Sequence, residues 1–238
     1  MFCIEIADLK VRVDNKYKYL ERFCSKYFAV CDDGADITAS VSEEEIDKEI
    51  AEATIPVSRG YAESICIYRK ICDTVLREFN GFLLHCALIE YEGRGYAFSA
   101  KSGTGKSTHI SLWKKVFGDK VTVVNGDKPL VRYIDGRFVA YGTPWCGKEG
   151  YGENTSVELS ALCFIERADN NSIKSISASD AVSRIFHQLL IPNDIESFDR
   201  MSELLDAMLA EVPCYLLGCN MNEEAAVVAY NGMNGKDI

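Results

Sequence analysis

The apolar positions in the first 80 residues follow strand-like and helix-like patterns in turn. Residues 2–13 alternate between apolar and polar side chains, which predicts a strand with one local irregularity. Residues 61–79 place their apolar side chains along one face of a helix. Ser42 and Glu45 have the spacing of a capping box, which predicts the start of a charged helix. The other predicted elements are a helix over 16–26, a strand over 36–41 and the charged helix over 43–53. This pattern predicts an α+β segment.

From residue 82 onward, apolar strands are interleaved with amphipathic helices. Residues 82–91 and 96–100 are apolar runs separated by a tight turn at 92–95. The further predicted strands are 121–124, 130–133, 137–141, 158–166, 173–176 and 214–217, and the predicted helices are 109–117, 179–190, 199–210 and 223–230. Interleaved strands and helices are typical of an α/β fold. We therefore expect a core domain over 81–238, with the N-terminal α+β segment, 1–80, packed on it.

One stretch of the core carries a recognisable chemical pattern. Residues 96–110 read YAFSAKSGTGKSTHI, an apolar strand followed by a loop of small residues and the start of a helix. Gly103 and Gly105 permit backbone angles that other residues avoid, so successive N–H groups can point into one hollow at the positive end of a helix dipole. Lys106 would reach the β- and γ-phosphates, and the Ser107 hydroxyl would bind Mg²⁺. The predicted nucleotide-binding residues are Ser102, Gly103, Thr104, Gly105, Lys106, Ser107 and Thr108.

The loop departs from the usual phosphate-loop pattern at its first position. The pattern G-x-x-x-x-G-K-[ST] has a glycine where this chain has Ala100, the smallest substitute. The alternative interpretation is an ordinary Gly/Ser turn between a strand and a helix. The intact SGTGKST run, with a strand before it and an amphipathic helix after it, favours nucleotide binding.

Two further residues lie 21 positions on either side of Lys106. Asp127 ends an apolar, β-branched strand, where a metal-holding carboxylate belongs in phosphate-loop proteins, although a turn or cap aspartate would also fit that position. His85 lies inside the predicted strand 82–91, and a single histidine in such a strand is usually a core residue. We predict Asp127, His85 and Lys106 as catalytic residues, with Ser107 and Asp127 as metal ligands.

The stretch LLHCALIEYEGRGYAFSAKSGTGKST, with the aspartate-ended strand behind it, resembles HPr kinase/phosphorylase. That family shares its nucleotide core, a mixed sheet with flanking helices, with ATP-dependent phosphoenolpyruvate carboxykinase. The resemblance covers about 82–132 and implies that His85 lies near the transferred phosphate. It also implies an aspartate pair, of which only Asp127 is present, because Gly126 takes the other position. Asp127 would then act as both metal ligand and base, unless the base comes from elsewhere.

Downstream, the family's phosphoprotein-binding signature gives way to GTPWCGKEGYG over 142–152. Glycine-rich polar segments beside a rigid sheet often carry function. We expect this segment to form a lid over the phosphate end of the site. Trp145 would contact the acceptor and Lys148 would offset the charge of the transferring group, while Glu149 could approach a metal. The alternative is a solvated glycine loop.

Composition and charge exclude several other classes of protein. The chain has 238 residues, enough for a substantial core, and a net charge of −10, which argues against a nucleic-acid or anionic-membrane surface. It shows neither a signal peptide nor an apolar run long enough to span a membrane, so we expect a cytoplasmic protein. The ten cysteines include no C-x-x-C pair, and we expect buried, reduced thiols, with Cys146 in a loop.

These observations predict an ATP- and Mg²⁺-dependent kinase that transfers the γ-phosphoryl group to a hydroxyl. The acceptor would be a serine or threonine of a protein or peptide, or a small-molecule alcohol. A carboxykinase-like enzyme ranks lower, because its extra metal ligands and arginines are not found. A non-catalytic nucleotide-binding regulatory module is the alternative, supported by the missing second aspartate. The resemblance also implies that a homo-oligomer is one option.

Overall fold

The computed structural model describes residues 1–32, 34–101 and 103–236. The strands are β1 (Phe2–Ile6), β2 (Leu9–Asp14), β3 (Ile37–Ser40), β4 (Gly81–Leu83), β5 (Ala87–Tyr91), β6 (Arg94–Ser99), β7 (Val121–Asn125), β8 (Leu130–Ile134), β9 (Arg137–Tyr141), β10 (Ser156–Arg167), β11 (Ser172–Ser175) and β12 (Cys214–Cys219). The helices are α1 (Lys18–Phe23), α2 (Glu43–Glu52), α3 (Arg59–Glu78), α4 (Lys106–Phe117), α5 (Ala178–Ile185), α6 (Ile195–Glu211) and α7 (Glu224–Met233). The α/β prediction is confirmed.

The N-terminal segment forms a three-stranded sheet in the order β1-β2-β3, with helices α1 to α3 beside it. The predicted strand over 2–13 is wrong, because the chain turns back at Ala7 and Asp8, whose φ angles are 54° and 56°. That turn makes β1 and β2 an antiparallel hairpin. The predicted capping box is confirmed: Ser42 accepts a hydrogen bond from the Glu45 backbone, and the Glu45 carboxylate accepts one from the Ser42 backbone.

The second sheet has nine strands, and its central path runs β4-β8-β9-β10-β6-β5-β7. The long strand β10 pairs antiparallel with β9 through its first residues and parallel with β6 and β12 further on. Strand β5 is antiparallel to both β6 and β7, so β6, β7, β10 and β12 run in one direction. Their carboxyl ends therefore meet at one edge of the sheet, where open α/β sheets commonly bind ligands.

The sheet is curled, as the connection between β4 and β5 requires. The two strands lie towards opposite ends of the sheet order, yet only residues 84–86 join them. An extended chain from Leu83 to Ala87 spans at most about 14 Å, so the two ends of the sheet must approach each other. The predicted single strand over 82–91 is wrong, because β4 ends at Leu83 and β5 begins at Ala87.

Helices cover both faces of the curled sheet. One core cluster joins α4 and α7 to one face, and its largest fully buried side chain is Trp113. A second cluster joins α5 and α6 to the other face through residues such as Ile185 and Met208. Over residues 1–32, 34–101 and 103–236, no helix combines the length and the apolar character that a membrane crossing needs.

The N-terminal segment shares a core with the larger sheet. The cluster around β1, β2 and α3 also includes Leu83 and Trp145 from the second part of the chain. Arg132 donates a hydrogen bond of 2.6 Å to the carbonyl oxygen of Ala7 across this contact. The packing agrees with an N-terminal segment lying against a core. The division into units at residue 80 stays a prediction from the sequence.

The cysteines are mostly buried thiols. Of the free cysteines, all are buried except Cys146, which is half-buried. Burial raises the pKa of the Cys146 thiol, which disfavours the reactive thiolate. The expectation of reduced thiols is wrong for Cys3 and Cys31, which the structure joins by a disulfide.

Candidate functional site

The candidate residues meet at the edge where the parallel strands end. Strand β6 ends at Ser99 and leads into the loop before α4, and the parallel strand β7, which is separated from β6 by β5, ends at Asn125. Strand β5 runs the opposite way, so its first residues lie at this same edge. His85, just ahead of β5, is thereby brought to the loop although it is distant in sequence.

The loop between β6 and α4 has the backbone freedom that phosphate binding requires. Gly103 and Gly105 have φ angles of 76° and 128°, and a Cβ on either would meet no atom within 4 Å. The first helical hydrogen bond of α4 runs from His109 N to Gly105 O, so the amides at the start of the helix precede the ladder and have no partner within it. These amides and open glycines fit a bound anion. Ser102, also predicted to bind nucleotide, lies outside the described residues.

Arg167, at the end of β10, holds this loop from the side. Its guanidinium donates hydrogen bonds to the carbonyl oxygens of Gly103, at 2.5 Å, and Thr104, at 3.2 Å. These bonds turn the two carbonyl groups towards the arginine. No sequence motif predicts this contact, because Arg167 follows the loop by more than 60 residues and belongs to no local motif.

Lys106, His85 and Asp127 lie together behind the loop. His85 Nε2 is 2.9 Å from Asp127 Oδ1 and 3.1 Å from Lys106 Nζ. Lys106 also donates a hydrogen bond of 3.3 Å to the Ala100 carbonyl oxygen. A single ring nitrogen cannot donate to the carboxylate and accept from the ammonium group at the same time. If Nε2 carries the proton, it donates to Asp127, and if it does not, it accepts from Lys106.

The charges of these groups influence each other. Burial lowers the pKa of Lys106, and the charge of Asp127 opposes that change. Burial alone would raise the pKa of Asp127, but the hydrogen bond from His85 and the charges of His85, Lys128 and Lys106 outweigh it. The pKa of Asp127 therefore lies below its ordinary value. The carboxylate is ionised at neutral pH, as a metal ligand must be.

The placement of His85 differs from the sequence prediction. His85 lies in the break between β4 and β5, and not inside a strand. Its backbone N–H donates a hydrogen bond of 2.7 Å to the carbonyl oxygen of Gln188, and Leu84 forms an isolated bridge with Leu189. The segment at 188–189 thus holds the backbone of His85 from outside the sheet. The ring is about one-third exposed, which agrees with a site residue better than with a core residue.

Asn125 shapes the turn that carries Asp127. Its side-chain oxygen accepts hydrogen bonds from the backbone N–H groups of Asp127 and Lys128, both at 2.8 Å. Its side-chain amide donates to the carbonyl and hydroxyl oxygens of Thr143, both at 3.1 Å. Asn125 is fully buried. Its role was missed because Asn-Gly is an ordinary turn signal in sequence.

Gly126 is enclosed by the neighbouring segment. A Cβ at this position would lie 2.7 Å from the carbonyl oxygen of Cys146 and 3.2 Å from that of Tyr151. Backbone atoms at such distances cannot move aside as a flexible side chain can. The position to which the resemblance assigns a second aspartate is therefore closed to any side chain in this structure.

The segment 142–152 is anchored at its two ends. Gly142 N donates to Thr155 O, and Gly126 N donates to Tyr151 O at 2.8 Å. Only the tip, residues 147–151, is exposed. The expectation that Trp145 presents contact area from a lid is wrong: the side chain is 5% exposed and stacks on Tyr68 with the ring centroids 4.0 Å apart.

A cavity of about 710 Å³ connects these groups. His85, Lys106, Ser107 and Asp127 line it from the sheet edge, and Lys148 and Glu149 line it from the tip of the segment 142–152. Within the described ranges, no cluster of three or more His, Cys, Asp or Glu side chains could enclose a metal ion. One hydroxyl and one carboxylate instead fit Mg²⁺, which keeps several waters and takes oxygens from substrate phosphates.

Comparison with known proteins identifies a family. The family model described as "ScmC: SynChlorMet cassette protein ScmC" matches residues 62–224, from α3 to the start of α7. No curated protein matches the chain. Among solved structures, the chain is similar to the structure of the Hpr(Ser) kinase/phosphatase from Coxiella burnetii, with 11% identity and a TM-score of 0.35. That match covers 64% of this chain and 93% of the other.

Proposed function

The chain belongs to the SynChlorMet cassette protein ScmC family, and we propose that it is an ATP- and Mg²⁺-dependent kinase that phosphorylates a hydroxyl group. The observation that carries this proposal is the meeting of Lys106, His85 and Asp127 beside an open, glycine-containing loop at the start of a helix. Phosphoryl transfer needs a phosphate cradle, a metal ligand and a group that orients the attacking oxygen. Each has a candidate here.

The loop and the start of α4 would hold the triphosphate. The amides at the helix start, which precede the helical hydrogen-bond ladder, and the Lys106 ammonium group supply donors and positive charge. Arg167 keeps the loop in place through two of its carbonyl groups. Ser107 and Asp127 would hold Mg²⁺, which offsets the charge of the transferring group. These residues bind and position, and such positioning is most of the catalysis in this class of reaction.

Asp127 would also orient the acceptor hydroxyl and accept its proton. Its lowered pKa makes it a weak base. That suffices because the transition state of phosphoryl transfer is largely dissociative and needs little proton abstraction before the bond to the leaving group weakens. His85 holds the carboxylate at 2.9 Å and fixes its direction. Asp127 would thus be both the metal ligand and the base. The resemblance to HPr kinase/phosphorylase implies a pair of aspartates for these two roles.

The proposal is tested by ATP binding and by transfer from γ-labelled ATP. Lys106→Ala should weaken ATP binding by about tenfold or more, which corresponds to about 1.4 kcal/mol. Asp127→Asn should keep the fold and the nucleotide but abolish turnover. Lys115→Ala is the matched control, since Lys115 lies near the other end of α4 and pairs with Glu223. Equal ATP affinity in the wild type and in Lys106→Ala would refute the nucleotide site.

A regulatory nucleotide-binding module is the second candidate. The observation that favours it is the closed position at Gly126, which leaves a single carboxylate on this turn. Such a module would bind ATP tightly, depend on Lys106 for that binding and show no turnover with any acceptor. Turnover that Asp127→Asn abolishes would exclude it.

A further inference from the structure

The 710 Å³ cavity has a second wall, made of aromatic side chains from the N-terminal segment. Tyr19 and Phe23 on α1 and Tyr61 on α3 line it together with the candidate catalytic groups. Tyr19 is 39% exposed and Tyr61 is 40% exposed. We call Tyr19, Phe23 and Tyr61 the aromatic wall. None of these residues belongs to the stretch that resembles HPr kinase/phosphorylase.

The rings of the wall form a continuous row. Tyr19 stacks on Phe23 with centroids 5.7 Å apart, and Tyr61 meets Tyr19 edge-on at 6.2 Å. At the inner end, Phe23 meets the buried ring of Trp145 at 5.7 Å. The row is thus built on packed rings and is not a set of isolated surface side chains.

The inner end of the row is tied to the turn that carries Asp127. Trp145 stacks on Tyr68, whose hydroxyl donates a hydrogen bond of 2.6 Å to the carbonyl oxygen of Lys128. Lys128 directly follows Asp127 in the chain. The wall therefore has a fixed position relative to the carboxylate that would orient the acceptor hydroxyl.

The two walls of the cavity differ in chemistry. The sheet-edge wall has the ammonium groups of Lys101 and Lys106 and the start of α4, which suit a polyanion. The opposite wall presents aromatic surface with phenol groups. The triphosphate gains nothing from such surface, and the adenine ring has a separate hollow of about 440 Å³ beside the loop, lined by residues that include Leu112, Ile165 and Met221. An apolar side chain of a second substrate would be removed from water by the aromatic rings, which is favourable. The aromatic wall thus belongs to the acceptor side.

We propose that the aromatic wall binds the acceptor, and that the acceptor is a peptide with a large apolar side chain near the phosphorylated serine or threonine. This inference rests on the proposed kinase function. Side chains on one face of an extended peptide repeat about every 6.6 Å, twice the rise per residue. Two such side chains on one face of the peptide would reach along the row of three rings, whose neighbouring centroids are 5.7 and 6.2 Å apart. A small alcohol would contact the polar end and leave the row uncovered.

The test uses fluorescent nine-residue peptides with a central serine. One peptide has phenylalanine two residues from the serine on each side, and its partner has aspartate there. Anisotropy is measured without nucleotide and with a non-hydrolysable ATP analogue and Mg²⁺. We expect the wild type to bind the phenylalanine peptide at least about tenfold more tightly, equivalent to about 1.4 kcal/mol.

Variants of the aromatic wall then show whether its rings cause the preference for the phenylalanine peptide. Tyr19→Ala with Tyr61→Ala should reduce it to within about twofold, while Tyr19→Phe with Tyr61→Phe should keep it, because the rings remain. Phe198→Ala is the matched control, since Phe198 is 36% exposed on α6 and is not part of the wall. The circular dichroism spectrum of each variant checks that it is folded.

The outcomes separate this inference from the proposed function. Equal binding of the two peptides, or a preference that survives loss of both tyrosines, overturns the inference even if ATP is turned over. If the preference depends on the tyrosines but Lys106→Ala leaves ATP binding unchanged, the wall stays a peptide-binding surface, whereas the kinase proposal and the peptide's role as acceptor both fail. Transfer from γ-labelled ATP to the phenylalanine peptide, with a raised KM and a retained kcat in the double alanine variant, would support both.

Discussion

His85 Nε2 lies 2.9 Å from Asp127 Oδ1, although 42 positions separate the two residues in the chain. The contact exists because β5 runs antiparallel to its neighbours, so the residue before it meets the residues after β7. The same nitrogen also lies near the Lys106 ammonium group. The histidine therefore links the candidate metal ligand to the candidate phosphate ligand.

Nucleotide binding should change the surroundings of His85. When a triphosphate attracts Lys106, the His85 ring loses its ammonium neighbour and keeps only the Asp127 contact. We expect the ring signals of His85 to shift in a long-range ¹H–¹⁵N NMR spectrum when Mg²⁺ and ATP are added. Addition of Mg²⁺ without ATP is the control, and it should leave the ring signals of His85 in place. An unchanged His85 signal in a protein saturated with ATP would argue that the ring does not face the phosphates.

Loss of Arg167 should weaken nucleotide binding without unfolding the protein. Arg167→Ala removes two hydrogen bonds to the loop, and the loop must then be ordered by the ligand itself. We expect ATP affinity to fall by about three- to tenfold, or roughly 1 kcal/mol, measured by calorimetry. Arg137→Ala is the control, because Arg137 is also exposed but pairs with Glu158 on the sheet surface. Equal affinity in both variants would show that the loop holds its shape without Arg167.

Replacement of Asn125 should impair both stability and turnover. Asn125→Ala leaves the buried Thr143 carbonyl and the two amides of the turn without their partner. We expect a loss of about 2–4 kcal/mol in the free energy of unfolding, measured in urea. We also expect slower transfer, because the turn no longer holds Asp127 in place. The exposed Asn193→Ala is the control. A variant with full stability and full turnover would contradict the role given to Asn125.

Buried His109 should make the fold sensitive to mild acid. Its Nε2 accepts a hydrogen bond of 3.0 Å from the Trp113 indole, and burial lowers its pKa to about 4. The ordinary value is 6.5, so between these values the unfolded chain binds the proton and the folded chain does not. Stability is therefore complete above pH 6.5 and falls as the pH is lowered, by up to about 3 kcal/mol near pH 4.

The measurement is the free energy of unfolding across pH 4–7 in the wild type and two variants. In His109→Gln, the free energy of unfolding should depend less steeply on pH than in the wild type. In His187→Gln, which changes an exposed histidine, the pH dependence should stay the same. An identical slope in all three proteins would assign the acid sensitivity to the carboxylates.

The elements that sequence could predict are those set by local chemistry. The helix that begins after Ser42 follows from its capping box with Glu45. The strand, loop and helix around Lys106 follow from the glycines and from the spacing of the apolar residues. The break at His85 could not be predicted, because it depends on the curl of the sheet and on a hydrogen bond that the His85 backbone N–H donates to the Gln188 carbonyl oxygen. The burial of Trp145 depends on α1 and α3, which are far away in sequence. The phosphate-loop type of the core and the site roles stay predictions.

The contact between Gly126 and the carbonyl oxygen of Cys146 links two parts of the chain that would otherwise vary independently. An aspartate introduced at 126 would push against backbone, so a second carboxylate cannot be gained by that substitution alone. The segment 142–152 would have to change course in the same step, or before it. A lineage passing between one-carboxylate and two-carboxylate forms of this site would therefore have to alter both segments together. The glycine and the GTPWCGKEGYG segment should be inherited as a pair.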